Sequence, residues 1–468
     1  MNLQTDYLVI GAGVTGLCFT DELVTRRDAH ITLVDQRDAP GGHWNDAYSF
    51  VKLHQPSLFY GVESKALAEY RIDETGPNKG FLSLAEGPEI TSYCHSVMRD
   101  RLLPSGRVDY RPLTTVESDG SLRSMLSGDR HTITVRKKIV DASYYTNSIP
   151  LTHTRNFDVA SGVTCVPPND LPRRAASFKH YTVLGAGKTA MDTCIWLLTH
   201  GAPDQAITWI VPRDAWFVNR AKTQPGAAYF NEVFEGFAAL REAIAMAASA
   251  QDLAHRLEAA GLWLRLDPEI EPTMFHAAAL SAGELIELRR ISNTIRLGRV
   301  LSIRADRLVL ERGEIQSPPD SLYIDCTASA LRPRPLLPVF DGNRINLQLV
   351  RFPQIPFSAA LIAFLEATLP DDDEEKNRFV APIPLTNSLE DYLTGLAPDM
   401  KNRLHCARHP LVREWVNNSR LDGYSKIVRD IDPLDTEKQE ILKRIKRASI
   451  AAFENLPRLL GQAARNDH

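Results

Sequence analysis

The chain has 468 residues, 44% hydrophobic and 24% charged, a balance that excludes a disordered chain and suggests two or three domains at about 150 residues each. A net charge of −4 offers no basic surface to nucleic acid or an anionic membrane. Six cysteines stand singly with no C-x-x-C pair, against a dithiol redox centre or zinc ribbon and in favour of reduced thiols.

Residues 6–10 read as an apolar strand with no basic leader before it, so a cytoplasmic protein is expected. No apolar run is long enough to span a bilayer; the alanine-rich stretch 237–250 is broken by Arg241 and Glu242. After the strand comes Gly11-x-Gly13-x-x-Gly16, a helical pattern over 17–24 and a second strand over 31–37. Gly11 permits the tight turn, Gly13 lets the backbone approach a pyrophosphate, and Gly16 lets the helix pack closely on the strand. Asp35, about 20 residues beyond the last glycine, can accept from ribose hydroxyls, with Gln36 and Arg37 beside it.

Pro40-Gly-Gly-His-Trp44 follows. Gly41 and Gly42 would give backbone donors to a ribityl chain and pyrophosphate, and Trp44 or Phe59 a flat wall for an isoalloxazine. These marks favour FAD in the first site. His54 and Gln55 are the candidates to sit over the flavin as catalytic groups, with Tyr60 and His153 behind them. Core packing is the competing role for Trp44 and Tyr60, and that of a hydrogen-bonded core or loop histidine for His54.

The segment 151–176 opens rich in Pro, Thr and Asn and reads as a crossing linker. Beyond it the first motif repeats. His180-Tyr-Thr-Val-Leu-Gly-Ala-Gly-Lys-Thr-Ala190 gives Gly185, Gly187 and Ala190 the roles of the three glycines, with Lys188 and Thr189 opening the helix. Thr182 stands where a Walker A motif needs its first glycine, so this is not a P-loop. The second strand, 207–213, carries Val211 in place of the acid, with Arg213 and Arg220 following. A missing acid beside arginine suits a 2′-phosphate, so the second site reads as NADP(H). One flavin and one nicotinamide can exchange a hydride, whereas two nicotinamides would have no chemistry between them.

Apolar spacing predicts a long helical insert over about 229–295, a candidate cap or homodimer surface. Residues 344–349 then read as a strand and 353–360 as a loop and helix start. Ser358 is the expected N-cap, at a helix end that faces a flavin in this architecture. The acidic run 371–375 reads as a solvated loop, and 388–465 as helices covering the sheet. The fold class is therefore α/β with two Rossmann-like domains. Residues 1–150 and 326–468 form a discontinuous FAD domain, into which 177–325 is inserted as the NADP(H) domain.

Gly11-x-Gly13-x-x-Gly16, Gly41-Gly42-x-Trp44, the Gly185-x-Gly187-x-x-Ala190 repeat and the strand ends at 139–143 and 323–328 together resemble the flavin-containing monooxygenases and their Baeyer–Villiger and N-hydroxylating relatives. The resemblance spans about the first 330 residues. It implies an NADPH-consuming monooxygenase that inserts oxygen from a flavin C4a-(hydro)peroxide into a small organic substrate, with O2 as co-substrate. Of the family signature F-x-G-x-x-x-H-x-x-x-(F/Y) only the tail His153-Thr-Arg-Asn-Phe157 is present, with Asn147 and Ile149 at the aromatic and glycine positions. His54 stands two residues before Pro56, where many members carry asparagine. A flavin reductase without oxygen insertion, and a flavin-bearing sensor, are the alternatives these departures leave open.

Overall fold

Tyr7, Leu8 and Val9 are buried on both faces of strand Asn2–Ile10, the mark of an interior parallel strand. The computed structural model describes residues 2–145, 148–329 and 334–466; Asn147 of the signature comparison lies outside them. On one side Asn2–Ile10 pairs in parallel with Ile31–Val34, which pairs with Val108–Arg111. On the other it pairs with Arg130–Asp141, and the returning chain adds Arg344–Asn346 next to that. Helices Val14–Arg26 and Ile355–Thr368 pack together on this sheet, with Phe357 and Phe364 against Trp415 in the core.

The second sheet is wholly parallel, in the order Thr294–Ile295, Ile207–Ile210, His180–Leu184, Ser321–Asp325, Cys165–Val166. The last of these strands comes from the stretch 151–176, which also supplies Asp158–Val159 to a four-stranded sheet. The α/β fold class with two Rossmann-like sheets is thus the observed architecture.

The two strands that end at the domain crossing are built alike. Asp141 Oδ1 accepts the N–H and hydroxyl of Ser143, and Asp325 Oδ1 accepts those of Thr327. Each turn places a peptide beside a glycine. A Cβ at Gly11 would meet the Ala142 carbonyl carbon at 3.3 Å, and one at Gly185 the Cys326 oxygen at 2.8 Å. Both glycines also have positive φ, +108° and +114°, so the turn needs glycine twice over.

Three expectations are corrected. The insert is not helical throughout: after helices Phe230–Met246 and Ala250–Ala259 come strands Trp263–Arg265 and Met274–Leu280, which flank Ala215–Asn219 in a three-stranded sheet. The alanines of 277–279 favour a helix, a preference that tertiary packing can override. Stacking of Trp263 on Phe275, with ring centroids 4.3 Å apart, outweighs that preference. Nor does the C-terminal helix Thr436–Asn466 cover the sheet. It lies along Phe230–Met246, where Arg444 binds Glu242 at 2.6 Å and Glu235 at 2.5 Å, so the insert face read as a dimer surface is occupied within the chain. Finally, the acidic run is partly helical, Asp373–Asn377, and is engaged by two lysines. Lys138 reaches Asp373 at 2.6 Å, and Lys376 reaches Asp371 at 3.3 Å.

Among the described residues no helix is long and apolar enough to cross a membrane.

Candidate functional site

Both glycine turns open into one chamber of about 2060 Å³. A single small ligand fills about 300–1,000 Å³, so this space suits more than one. Helix Val14–Arg26 starts at Gly13 and helix Lys188–Thr199 at Gly187, each glycine extended (φ −70°, ψ 175°; φ −80°, ψ 179°) with no side chain capping the first turn. The free N–H groups of each first turn are therefore available to an anion. A Cβ at Gly187 would have no protein atom within 4 Å, and one at Gly13 would meet only the backbone of Gly42, 3.6 Å away. These positions are bare without any packing reason inside the protein, which fits a pyrophosphate at both. Gly16 and Ala190 do not line the chamber; they sit where helix meets strand, Ala190 fully buried.

Asp35 faces the chamber as expected, while its two oxygens also accept from the backbone of Ala12 at 2.6 Å and Arg37 at 2.8 Å. Gln36 lines the wall beside it. The Arg37 guanidinium is held by Asp46 at 2.8 Å, which fixes it in the wall. Gly42 closes on Gly13, and the indole of Trp44 donates to the Tyr60 hydroxyl at 2.7 Å. Together these groups form a continuous wall from the first turn to Tyr60.

The segment 46–54 ties the two units into one chamber. Asn169 donates to the Asp46 carbonyl at 3.0 Å, Phe50 packs on Trp196 at 5.3 Å, and the Tyr48 hydroxyl donates to Asp192 at 2.8 Å. Asp192 in turn holds the Lys188 ammonium, so Lys188 reaches a carboxylate of its own helix. Thr189 lines the chamber next to it.

His54 and Gln55 line the same space. The His54 ring lies deep in the molecule yet opens to the chamber. Burial, then the charges of Lys188 and Arg220, push its imidazole down to about 3. His54 is thus a neutral hydrogen-bonding group at physiological pH. Its ¹³C and ¹⁵N ring shifts are expected to stay unchanged between about pH 7 and about pH 5; a midpoint near the ordinary histidine value would overturn this.

Three candidates have other roles. Arg220 is fully buried outside the chamber wall. Its guanidinium donates to the His54 carbonyl at 2.7 Å, the Ala279 carbonyl at 3.0 Å and Glu284 at 3.0 Å, which leaves it unable to reach a 2′-phosphate. It is a positioning residue for His54. Ser358 is not an N-cap. Gln354 precedes the helix, and the buried Ser358 hydroxyl donates to the Gln354 carbonyl while accepting the N–H groups of Val350 and Arg351. Pro356 in the first helical turn favours the earlier start. His153 turns away to Asp325, 2.9 Å distant, and braces the end of strand Ser321–Asp325. Arg213, in contrast, is exposed at the chamber wall and makes no hydrogen bond or ion pair among the described residues.

Glu284 is the main residue the sequence reading missed. Ser281 and Glu284 form a capping box that the spacing S-x-x-E does signal, but its ion pair with Arg220 has no local signal. Despite burial, the Arg220 and Lys188 charges hold its carboxyl down at about 2.

Residues 9–61 match the family model of an NAD(P)-binding Rossmann-like domain. Uncharacterized protein Rv2000 of Mycobacterium tuberculosis (strain ATCC 25618 / H37Rv) is 40% identical over 461 residues, covering 98% of this chain and 85% of that protein. Uncharacterized protein Mb2023 of Mycobacterium bovis matches to the same extent. The chain belongs to their family. Among solved structures, a cyclohexanone monooxygenase with bound ε-caprolactone aligns at a TM-score of 0.53 and 14% identity, over 87% of this chain and 98% of that one. The family of this chain therefore shares its fold with that monooxygenase.

Proposed function

We propose that this protein is a cytoplasmic, FAD-dependent, NADPH-consuming monooxygenase acting on a small organic substrate. The observation that carries the reading is the pair of uncapped, glycine-led helix starts opening into one chamber. A flavin and a nicotinamide can meet only if both cradles share a space. Bound together, FAD and NADPH would supply hydride transfer and the activation of O2. Gly11, Gly13, Asp35 and Gly42 would hold the first dinucleotide, and Gly185, Gly187, Thr189 and Arg213 the second. The likeness of fold to cyclohexanone monooxygenase supports the reading, and the six free thiols suit a reducing compartment.

The chain's own contribution is positional. Segment 46–54 clamps the two units together, and Arg220 holds the His54 carbonyl so that a neutral imidazole faces the chamber. A neutral ring can donate from one nitrogen and accept at the other, as alignment of a substrate requires. The decisive experiment is anaerobic. The purified yellow protein is mixed with NADPH in a stopped flow, and air and candidate substrates are then admitted. Bleaching followed by oxygenated product supports the proposal. Bleaching with reoxidation and no oxygenated product from any substrate selects a reductase, and no bleaching by either nicotinamide removes the second cradle's assignment.

A further inference from the structure

One stretch of the chamber wall carries more positive than negative charge. Arg403 is paired there with Asp399 at 2.7 Å, and the buried pair of Arg351 with Asp422, at 2.8 Å, lies behind it. Asp399 also accepts the Phe352 N–H at 3.0 Å, which anchors the pair beside the start of helix Ile355–Thr368. A third arginine, Arg241 of helix Phe230–Met246, faces the same chamber close enough to feel both Arg403 and Asp399. Among the described residues Arg241 makes no hydrogen bond or ion pair. The three carboxylates of its own helix are unavailable: Glu235 and Glu242 are both held by Arg444, and Glu232 by Lys222.

The surroundings make this arginine costly. Phe237 and Leu240 of its own helix line the chamber, as do Trp263, Phe275 and Tyr392; Trp263 stacks on Phe275 with centroids 4.3 Å apart, and Tyr392 meets Phe275 edge-on at 4.8 Å. A guanidinium is charged at every working pH, and burial with the nearby Arg403 pushes Arg241 below its ordinary value. A partly buried cation beside apolar side chains is unfavourable unless an anion joins it. In this wall Arg403 has a carboxylate hydrogen-bonded to it, and Arg241 does not.

We infer that the chamber takes a carboxylic acid with an apolar, aromatic or aliphatic body. Its carboxylate pairs with Arg241, and its body lies against Phe237 and Leu240, which the buried Trp263 and Phe275 back. This assignment rests on reading the chamber as the monooxygenase substrate site. The planar fork of arginine suits a carboxylate bidentately, and the rings complement an apolar body. A phosphate of NADPH is the other anion within the chamber's chemistry, and the test separates the two.

The FAD-loaded full-length protein is titrated with 3-phenylpropanoate, decanoate and their primary amides, followed by quenching of tryptophan fluorescence, and separately with NADPH. The acids are expected to bind at least about 10-fold more tightly than the amides, as one lost charge-assisted pair predicts. Arg241→Met should abolish that preference, leave NADPH affinity unchanged and leave the melting temperature equal or higher. Arg241→Lys should keep part of the preference. Equal binding of acid and amide, no binding of either acid, or an Arg241→Met loss confined to NADPH would each overturn the inference. So would a melting temperature lowered by several degrees, because Arg241 would then have a structural partner. Selective acid binding without flavin bleaching by NADPH would leave this inference standing and remove the monooxygenase reading instead.

Discussion

Gly187→Val is expected to give a folded, yellow protein that NADPH no longer reduces at ordinary concentrations. Gly187 has extended backbone angles open to any residue, and a Cβ there meets no protein atom within 4 Å. The cost to folding should therefore stay below about 1 kcal/mol, the loss for a poor N-cap residue. The valine side chain would instead fill the space over the helix's first turn, where a pyrophosphate needs the bare backbone. The apparent affinity for NADPH, measured by anaerobic stopped-flow reduction, should weaken by about 100-fold or more, equivalent to about 2.7 kcal/mol. The flavin content should be unchanged, because the other cradle lies at Gly13. Arg213→Ala is a milder companion, expected to raise the KM for NADPH far more than that for NADH. Normal reduction of Gly187→Val would remove the nicotinamide from this cradle.

The glycine cradles were legible because their signal is local. A turn with positive φ at Gly11 and Gly185, and a bare first turn at Gly13 and Gly187, are demanded within a few residues of sequence. The strand order around them follows from the parallel βαβ rule. What the sequence did not disclose depends on partners far along the chain. Arg220 read as a phosphate ligand because its position after the second strand fits one. Its true partners, His54 and Glu284, lie 166 and 64 residues away. The insert's strands were hidden for a related reason. Alanines 277–279 carry no strand signal of their own, and Trp263 and Phe275 meet only once the sheet is formed. Ser358 missed the cap by four residues, since Pro356 fixes the start of the helix before it.

The buried pair of Arg220 and Glu284 should produce a large stability change when broken. Arg220→Met removes the cation from Glu284, whose carboxylate stays buried with the Ser281 N–H at 2.8 Å and the Asn78 amide at 3.2 Å as its remaining partners. Breaking one side of a buried ion pair costs about 3–5 kcal/mol, far more than deleting both partners. Chemical denaturation at neutral pH should show a loss of that size, and Arg220→Met/Glu284→Gln should regain much of it. The pH dependence has a definite sign. The Glu284 carboxyl is held at about 2 against an ordinary 4.5, so in the parent protein its contribution is complete above about 4.5 and is lost as pH falls through about 2. Without Arg220 the carboxyl titrates higher, and protonation relieves the unpaired charge. The stability gap between parent and Arg220→Met should therefore narrow as pH falls below about 5. A gap that is constant with pH, or smaller than about 1 kcal/mol at neutral pH, would mean that Glu284 finds its counter-charge elsewhere, with Lys188 the nearest candidate. The His54 carbonyl also loses its donor in Arg220→Met, so substrate turnover should fall in the fraction that remains folded, while NADPH affinity is retained. That split would mark Arg220 as a positioning residue rather than a phosphate ligand.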